Sequence, residues 1–183
     1  MAENLPHHTP APTPMAATDW EGELPQSVRA EFPYVNVQFR SYLGQNWIEC
    51  EAASIPQILL FLRDRAGFDM LVDLTAVDRT PEPQRFEVVY ILYSFSRNER
   101  VRVKTRVAPG IEVPSIAEAF AGANWLEREV YDMFGIRFSG HPNLKRILLP
   151  EDWQGFPLLK DKSITDMDNS WVQQHLGIES GQS

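Results

Sequence analysis

The chain has 183 residues, 43% of them apolar and 23% charged, enough for one domain with a sizeable core but not for two of ordinary size. Its formal net charge of −8 weighs against general affinity for nucleic acid or anionic lipid headgroups. A single cysteine rules out an intrachain disulfide and cannot by itself hold an iron–sulfur cluster, which takes roughly four ligands.

Residues 1–18 are rich in Pro, Ala and Thr without apolar periodicity and read as a flexible tail, in which His7-His8 is a solvated pair. The start, Met1-Ala2-Glu3-Asn4-Leu5-Pro6, lacks the basic and apolar segments of a signal peptide. No run of about 18 apolar residues occurs either. The chain is therefore expected in the cytoplasm, meeting a membrane only through partners.

A helix-like segment over 24–32 opens an expected domain of residues 19–139. Strands follow over 34–39 and 47–51, with turn chemistry at Gly44-Gln45-Asn46 between them. Cys50 ends the second strand and reads as a buried, inert thiol. Ser54 and Gln57 have the spacing of a capping box, and Pro56 suits a first turn. Ile55, Ile58, Leu59 and Leu62 then share one face, which predicts an amphipathic helix ending near Gly67.

Residues 68–77 and 86–95 are apolar on both faces, the pattern of central strands covered on both sides. Between them, Asp78-Arg79-Thr80-Pro81-Glu82-Pro83 cannot continue a sheet. The next strand alternates: Val101, Val103, Thr105 and Val107 face inward, while Arg100, Arg102, Lys104 and Arg106 line the other face. Four like charges on one face repel one another. The stripe is either a solvated, aggregation-resistant face or a contact surface for an acidic protein.

Ser115 and Glu118 predict a second capping box and a short helix ending at Gly122. Asn124 predicts the cap of a helix over 125–134, closed by Gly135 in a left-handed stop. In that helix Glu127 is placed to complete the cap, and Arg128 with Asp132 has the spacing of an ordinary i,i+4 pair. Residues 136–138 suit a short strand. His141 reads as a hydrogen-bonding loop residue. From residue 140 to 183 the chain is irregular and expected to form an extended arm lying on its own domain or on a partner. Strands interrupted by helices and joined partly by hairpins indicate an α+β fold with a mixed sheet.

Nucleotide, zinc and hydrolase motifs are missing: the sequence has no G-x-G-x-x-G, no G-x-x-x-x-G-K, no H-E-x-x-H, no C-x-x-C and no G-x-S-x-G. By contrast, Glu127-Arg128-Glu129-Val130-Tyr131-Asp132-Met133-Phe134-Gly135-Ile136-Arg137-Phe138, followed by His141-Pro142-Asn143-Leu144-Lys145-Arg146-Ile147-Leu148, resembles the signature of a bacterial NADH:quinone oxidoreductase component, the 30-kilodalton (C-type) subunit family of respiratory complex I. Departures from that pattern are Asn143 for the usual aspartate, Leu159 for an arginine, and Lys162-Ser163 for an aromatic–proline pair.

The resemblance implies a non-catalytic structural subunit of a proton-translocating assembly that passes electrons from NADH to quinone. It implies no cofactor in this chain, with FMN and iron–sulfur clusters in partner subunits. The implied partner is the large 49-kilodalton (D-type) subunit, on the cytoplasmic side of the inner membrane. The implied signature and interface residues are Glu127, Arg128, Glu129, Tyr131, Asp132, Gly135, His141, Pro142, Arg146, Trp153, Phe156 and Pro157, with the 140–183 arm docking on a partner. The equivalent subunit of a membrane-bound hydrogenase or formate hydrogenlyase is an alternative from a related class. A free-standing adaptor or nucleic-acid binder using the basic stripe is a more distant one.

Overall fold

A computed structural model describes residues 16–163 together with 171, 173 and 174. His7-His8, the flexible-tail expectation before residue 16 and most of the arm after 163 lie outside the described residues. In chain order the elements are β1 (Thr18–Asp19), α1 (Glu23–Glu31), β2 (Val37–Tyr42), β3 (Gln45–Cys50), α2 (Ile55–Asp64), β4 (Met70–Asp78), β5 (Phe86–Ser94), β6 (Glu99–Val107), β7 (Val113–Pro114), α3 (Ala123–Phe134) and β8 (Phe138–Ser139). A single turn of 3-10 helix, Ala52–Ser54, precedes α2.

Strands β1 to β6 form a six-stranded sheet in the order β1-β2-β3-β6-β5-β4, in which only the β3–β6 pairing is parallel. The fold is therefore α+β with a mixed sheet, as the sequence indicates. The β2–β3 hairpin turns on Leu43 and Gly44, both with positive φ (49° and 74°), a backbone whose twist suits adjoining antiparallel strands. The turn thus begins earlier than the composition suggests, and Gln45 and Asn46 are already in the strand.

One face of the sheet carries the core. Phe39, Ile48, Val88, Tyr90, Leu92, Val101 and Val103 pack there with Leu24 and Val28 of α1, with α2, and with Ala123, Val130 and Phe134 of α3. Ile55, Ile58, Leu59 and Leu62 of α2 are fully buried (0% exposed), and each apolar side chain so placed contributes about 1.5–3 kcal/mol. Val101, Val103, Thr105 and Val107 all point inward as their period of two requires.

Four local expectations fail. β4 is an edge strand, with Met70, Val72, Thr75 and Val77 exposed, so only β5 has the doubly covered pattern. Apolar residues on both faces of β4 imitate a central strand because its outer side chains are themselves apolar. No helix starts at Ser115: residues 117–119 form a turn, and the Ser115 hydroxyl accepts the Ala117 amide (3.2 Å) while donating to Glu127. Ser54 and Asn124 are not side-chain caps. The turn Ala52–Ser54 leads into α2, and α3 begins one residue before Asn124 after Gly122. Gly135 does end α3 in the left-handed conformation, φ 76°.

Candidate functional site

Along α3, Ala123, Glu127, Val130 and Phe134 are buried at helical spacing, with Arg128 and Asp132 beside them. Three ionisable residues thus lie on the buried face of an amphipathic helix. Buried charges persist only with partners, and each finds its own.

Glu127 accepts a hydrogen bond from Ser115 Oγ (2.6 Å) and another from the Ile116 amide (2.7 Å). Both donors come from the segment before α3, so Glu127 pins that segment to the helix and does not complete a cap. His141 Nδ1 accepts the Asn143 amide (3.0 Å), which leaves Nε2 to donate to the Asn124 carbonyl (3.1 Å). This fixes a neutral tautomer, with Nε2 3.9 Å from Glu127. His141 is thus a hydrogen-bonding loop residue, as the sequence suggests. Burial raises the pKa of Glu127 above the ordinary carboxylate value, against the lowering pull of the hydrogen bonds from Ser115 and Ile116.

A raised folded-state pKa means that the native chain holds this proton more tightly than the unfolded chain. The corresponding stabilisation is complete below the unfolded carboxylate range and is lost as pH rises through the raised value. Glu127→Gln, whose carbonyl can still accept the Ile116 amide while its amide nitrogen donates to Ser115 Oγ, is expected to remove this decline from a urea-denaturation pH series. An unchanged slope between the ordinary and the raised pKa would contradict it.

Asp132 and Arg128 do not pair with each other. Asp132 Oδ2 accepts three successive backbone amides, Ile147 (3.0 Å), Leu148 (2.8 Å) and Leu149 (2.9 Å), while Oδ1 takes Arg146 Nη1 (2.7 Å). Burial alone would raise its pKa, but the three amides and Arg146 outweigh that and lower it. Arg128 donates in turn to the carbonyls of Lys145 and Arg146 (both 3.1 Å), and its guanidinium lies over the Trp125 ring. Arg146 reaches onward to the carbonyls of Trp153 (3.3 Å) and Gly155 (2.9 Å) and covers the Phe156 ring. The helix therefore grips the first stretch of the arm by its backbone.

Phe156 sits on the flat surface left by Gly135 and packs edge-on to Tyr131. The Leu158 amide then donates to the Met133 carbonyl at the end of α3 (3.1 Å). At the far end, Arg85 bridges Asp78 and Asp161, and Asp78 also accepts the Lys160 amide (2.8 Å). Residues 140–161 thus wrap their own domain. Asp78 and Arg85 have no local motif, and that of Ser115 points to Glu118 instead of Glu127, because their partners are brought together only by the fold.

Of the sequence-derived candidates, Glu127, Arg128, Asp132, Gly135, His141, Arg146 and Phe156 meet one another in this clasp. Glu129, Pro142 and Pro157 face solvent, as do Trp125 (61% exposed), Leu148 (62%) and Leu158 (51%). Tyr131 and Trp153 are half-buried, and Trp153 packs against Trp171.

The basic stripe lies on the opposite side of the molecule's sheet from the core. Glu87, buried there, draws in Arg79 (3.0 Å), Lys104 (3.3 Å) and Arg106 (3.5 Å). Burial would raise the pKa of Glu87, but Arg79 and Lys104 more than offset this and lower it. Arg106 also pairs with Glu49 and Glu82. Glu87→Gln leaves three cations around a neutral group. It is expected to cost about 2 kcal/mol in urea denaturation, less than a fully buried pair because Arg79 is partly exposed. A loss below about 0.5 kcal/mol would show that Glu87 does not organise them.

Cys50 is buried, and burial pushes its pKa up to about 12, which suits an inert thiol. Among the described residues no group of His, Cys, Asp and Glu is placed to hold a metal ion, and no helix is long and apolar enough to cross a membrane.

Residues 48–168, from β3 through the clasp and beyond it, match the family described as respiratory-chain NADH dehydrogenase, 30 Kd subunit. The chain belongs to this family. Among its relatives, the NADH-quinone oxidoreductase C subunit of Parvibaculum lavamentivorans is 43% identical over 129 residues, covering 69% of this chain and 64% of that protein. The C subunit of Rhodobacter capsulatus is 48% identical over 120 residues, covering 64% of this chain and 60% of that one. The NADH-quinone oxidoreductase C/D subunit of Bdellovibrio bacteriovorus is 41% identical over 138 residues, covering 75% of this chain and 25% of the longer protein. The matched region thus spans about three fifths of the first two relatives. The fold is also that of a chain in the solved membrane-bound sulfane sulfur reductase, an archaeal respiratory membrane complex, with a TM-score of 0.68, 22% identity and coverage of 87% of this chain and 93% of that one.

Proposed function

We propose that this protein is the non-catalytic 30-kilodalton-type subunit of a proton-translocating NADH:quinone oxidoreductase, sited in the peripheral arm on the cytoplasmic side of the inner membrane. The observation that carries the reading is the family match, which runs without a break from the sheet into the clasp. In this role the chain supplies shape and surface, while FMN, iron–sulfur clusters and the quinone site belong to neighbouring subunits.

The partner we infer is the large 49-kilodalton-type subunit. In the Bdellovibrio bacteriovorus relative, C and D are named together for one polypeptide, an arrangement suited to two parts that work side by side. The exposed Trp125, Glu129, Pro142, Leu148, Pro157 and Leu158 surround the clasp and offer that partner an apolar surface with polar neighbours. Residues such as Asp132 and Gly135 then act indirectly, by holding this surface in one shape.

Affinity-tagged full-length chain, purified from detergent-solubilised membranes, is expected to bring down a large assembly that oxidises NADH with quinone as acceptor. Recovery of the chain alone, or with nickel-containing subunits and no NADH oxidation, would overturn the proposal.

A further inference from the structure

The outer face of the sheet divides into two unlike halves. At the β5-start end, Lys104 and Arg106 are neutralised by Glu49, Glu82 and Glu87. At the other end, Arg100 and Arg102 have no carboxylate partner among the described residues. Register places Arg102 beside Trp47 of β3 and Ile91 of β5, and Arg100 beside Tyr93, whose ring centre is 6.0 Å from the guanidinium. The two acids that line this end are already engaged: Glu23 and Glu99 lie 3.2 and 3.8 Å from Arg97.

The sheet also opens here. β3 and β6 pair only at Trp47–Glu49 against Arg102–Lys104, so the strands part before that point. The gap opens into a cleft of about 610 Å³, in whose lining Arg97, Arg100 and Arg102 outnumber the carboxylates Glu23 and Glu99, beside Gln45 and Asn46.

Two unneutralised guanidinium groups in a chain of net charge −8 are an uneven use of charge. Their planar forks match carboxylates better than they match water, and flanking aromatic rings favour a protein ligand. Residues i and i+2 of a strand stand about 7 Å apart on one face, and so do alternate side chains of any other extended segment. The geometry points to this cleft and its rim as the docking site for an extended acidic segment of a partner protein, with acids two residues apart meeting Arg100 and Arg102. Nucleic acid fits poorly, because two cations neutralise few phosphates and the remaining charge of the chain repels them.

This surface is separate from the clasp and holds for any respiratory assembly the chain enters. The test places a photo-crosslinking benzoylphenylalanine at Tyr42, whose register partner Gln45 lines the cleft, in the full chain within the detergent-solubilised complex. The linked peptide, identified by mass spectrometry, is expected to come from another subunit and to carry Asp or Glu at alternate positions. Arg100→Glu with Arg102→Glu should then lower the complex-bound fraction at least tenfold, and lysines in place of those partner acids should restore it. Crosslinks confined to residues 164–183 of this chain, to RNA or to a segment without acids would overturn the inference. So would a folded double variant that assembles within twofold of wild type. That last result would leave the proposed function standing, whereas failure of the wild-type chain to join any complex would count against the proposed function itself. Should the double variant not fold, the crosslink, made with both arginines intact, still decides.

Discussion

Asp132→Ala is expected to lower the stability of the chain by about 3–5 kcal/mol, the cost of leaving a buried charge and its donors without a partner. The carboxylate is fully buried, and its loss strands Arg146 and three backbone amides together. The effect should be local before it is global. Residues 146–158 should become susceptible to protease under conditions where the sheet still resists, because three of their backbone bonds to α3 end on this carboxylate. Urea denaturation and limited proteolysis measure the two parts. A loss below about 1 kcal/mol would show that Arg146 and the amides find other acceptors at little cost. Because the folded-state pKa of Asp132 is lowered, its contribution is present above the ordinary aspartate range and fades as pH falls through the lowered value.

Gly135→Ala should cost about 2–4 kcal/mol, from two sources that can be separated. Its φ of 76° places an added Cβ in a backbone region that costs about 1–2 kcal/mol for residues other than glycine. That Cβ would also fall 2.5 Å from Phe156 Cε2, so the ring must leave its seat. In Phe156→Ala the steric part is already absent, and Gly135→Ala added to it should cost only the backbone part. The double-mutant cycle is therefore expected to be non-additive by about 1–2 kcal/mol. Strict additivity would mean that Phe156 does not rest on Gly135 in solution.

Where the governing physics is local, the sequence is a good guide. The alternation of Val101, Val103, Thr105 and Val107 and the stripe Ile55, Ile58, Leu59 and Leu62 predict their buried faces correctly. So does Gly135, whose left-handed stop depends only on its own backbone. The misreadings arise where a local rule competes with a distant partner. Glu127 has the spacing of a capping residue, yet Ser115 and Ile116 claim it; Arg128 and Asp132 have the spacing of an ion pair, yet each binds the arm instead. One signal in the sequence does point to this arrangement: Glu127 occupies the apolar stripe of α3 with Ala123, Val130 and Phe134, where a charge must have a partner. The position of β4 at the sheet edge has no such signal, because strand order depends on pairings that residue alternation does not encode.

The bridge from Arg85 to Asp78 and Asp161 fastens the chain to itself at the end of the wrapped segment, 76 residues away in sequence from the arginine. Ordering a loose strap on association would subtract roughly 0.5–1.5 kcal/mol for each immobilised flexible side chain, before any new contact counted. Here that entropy is already lost during folding. A neighbour arriving at Trp125, Leu148 and Leu158 meets a rigid template, and more of its contact energy remains as affinity.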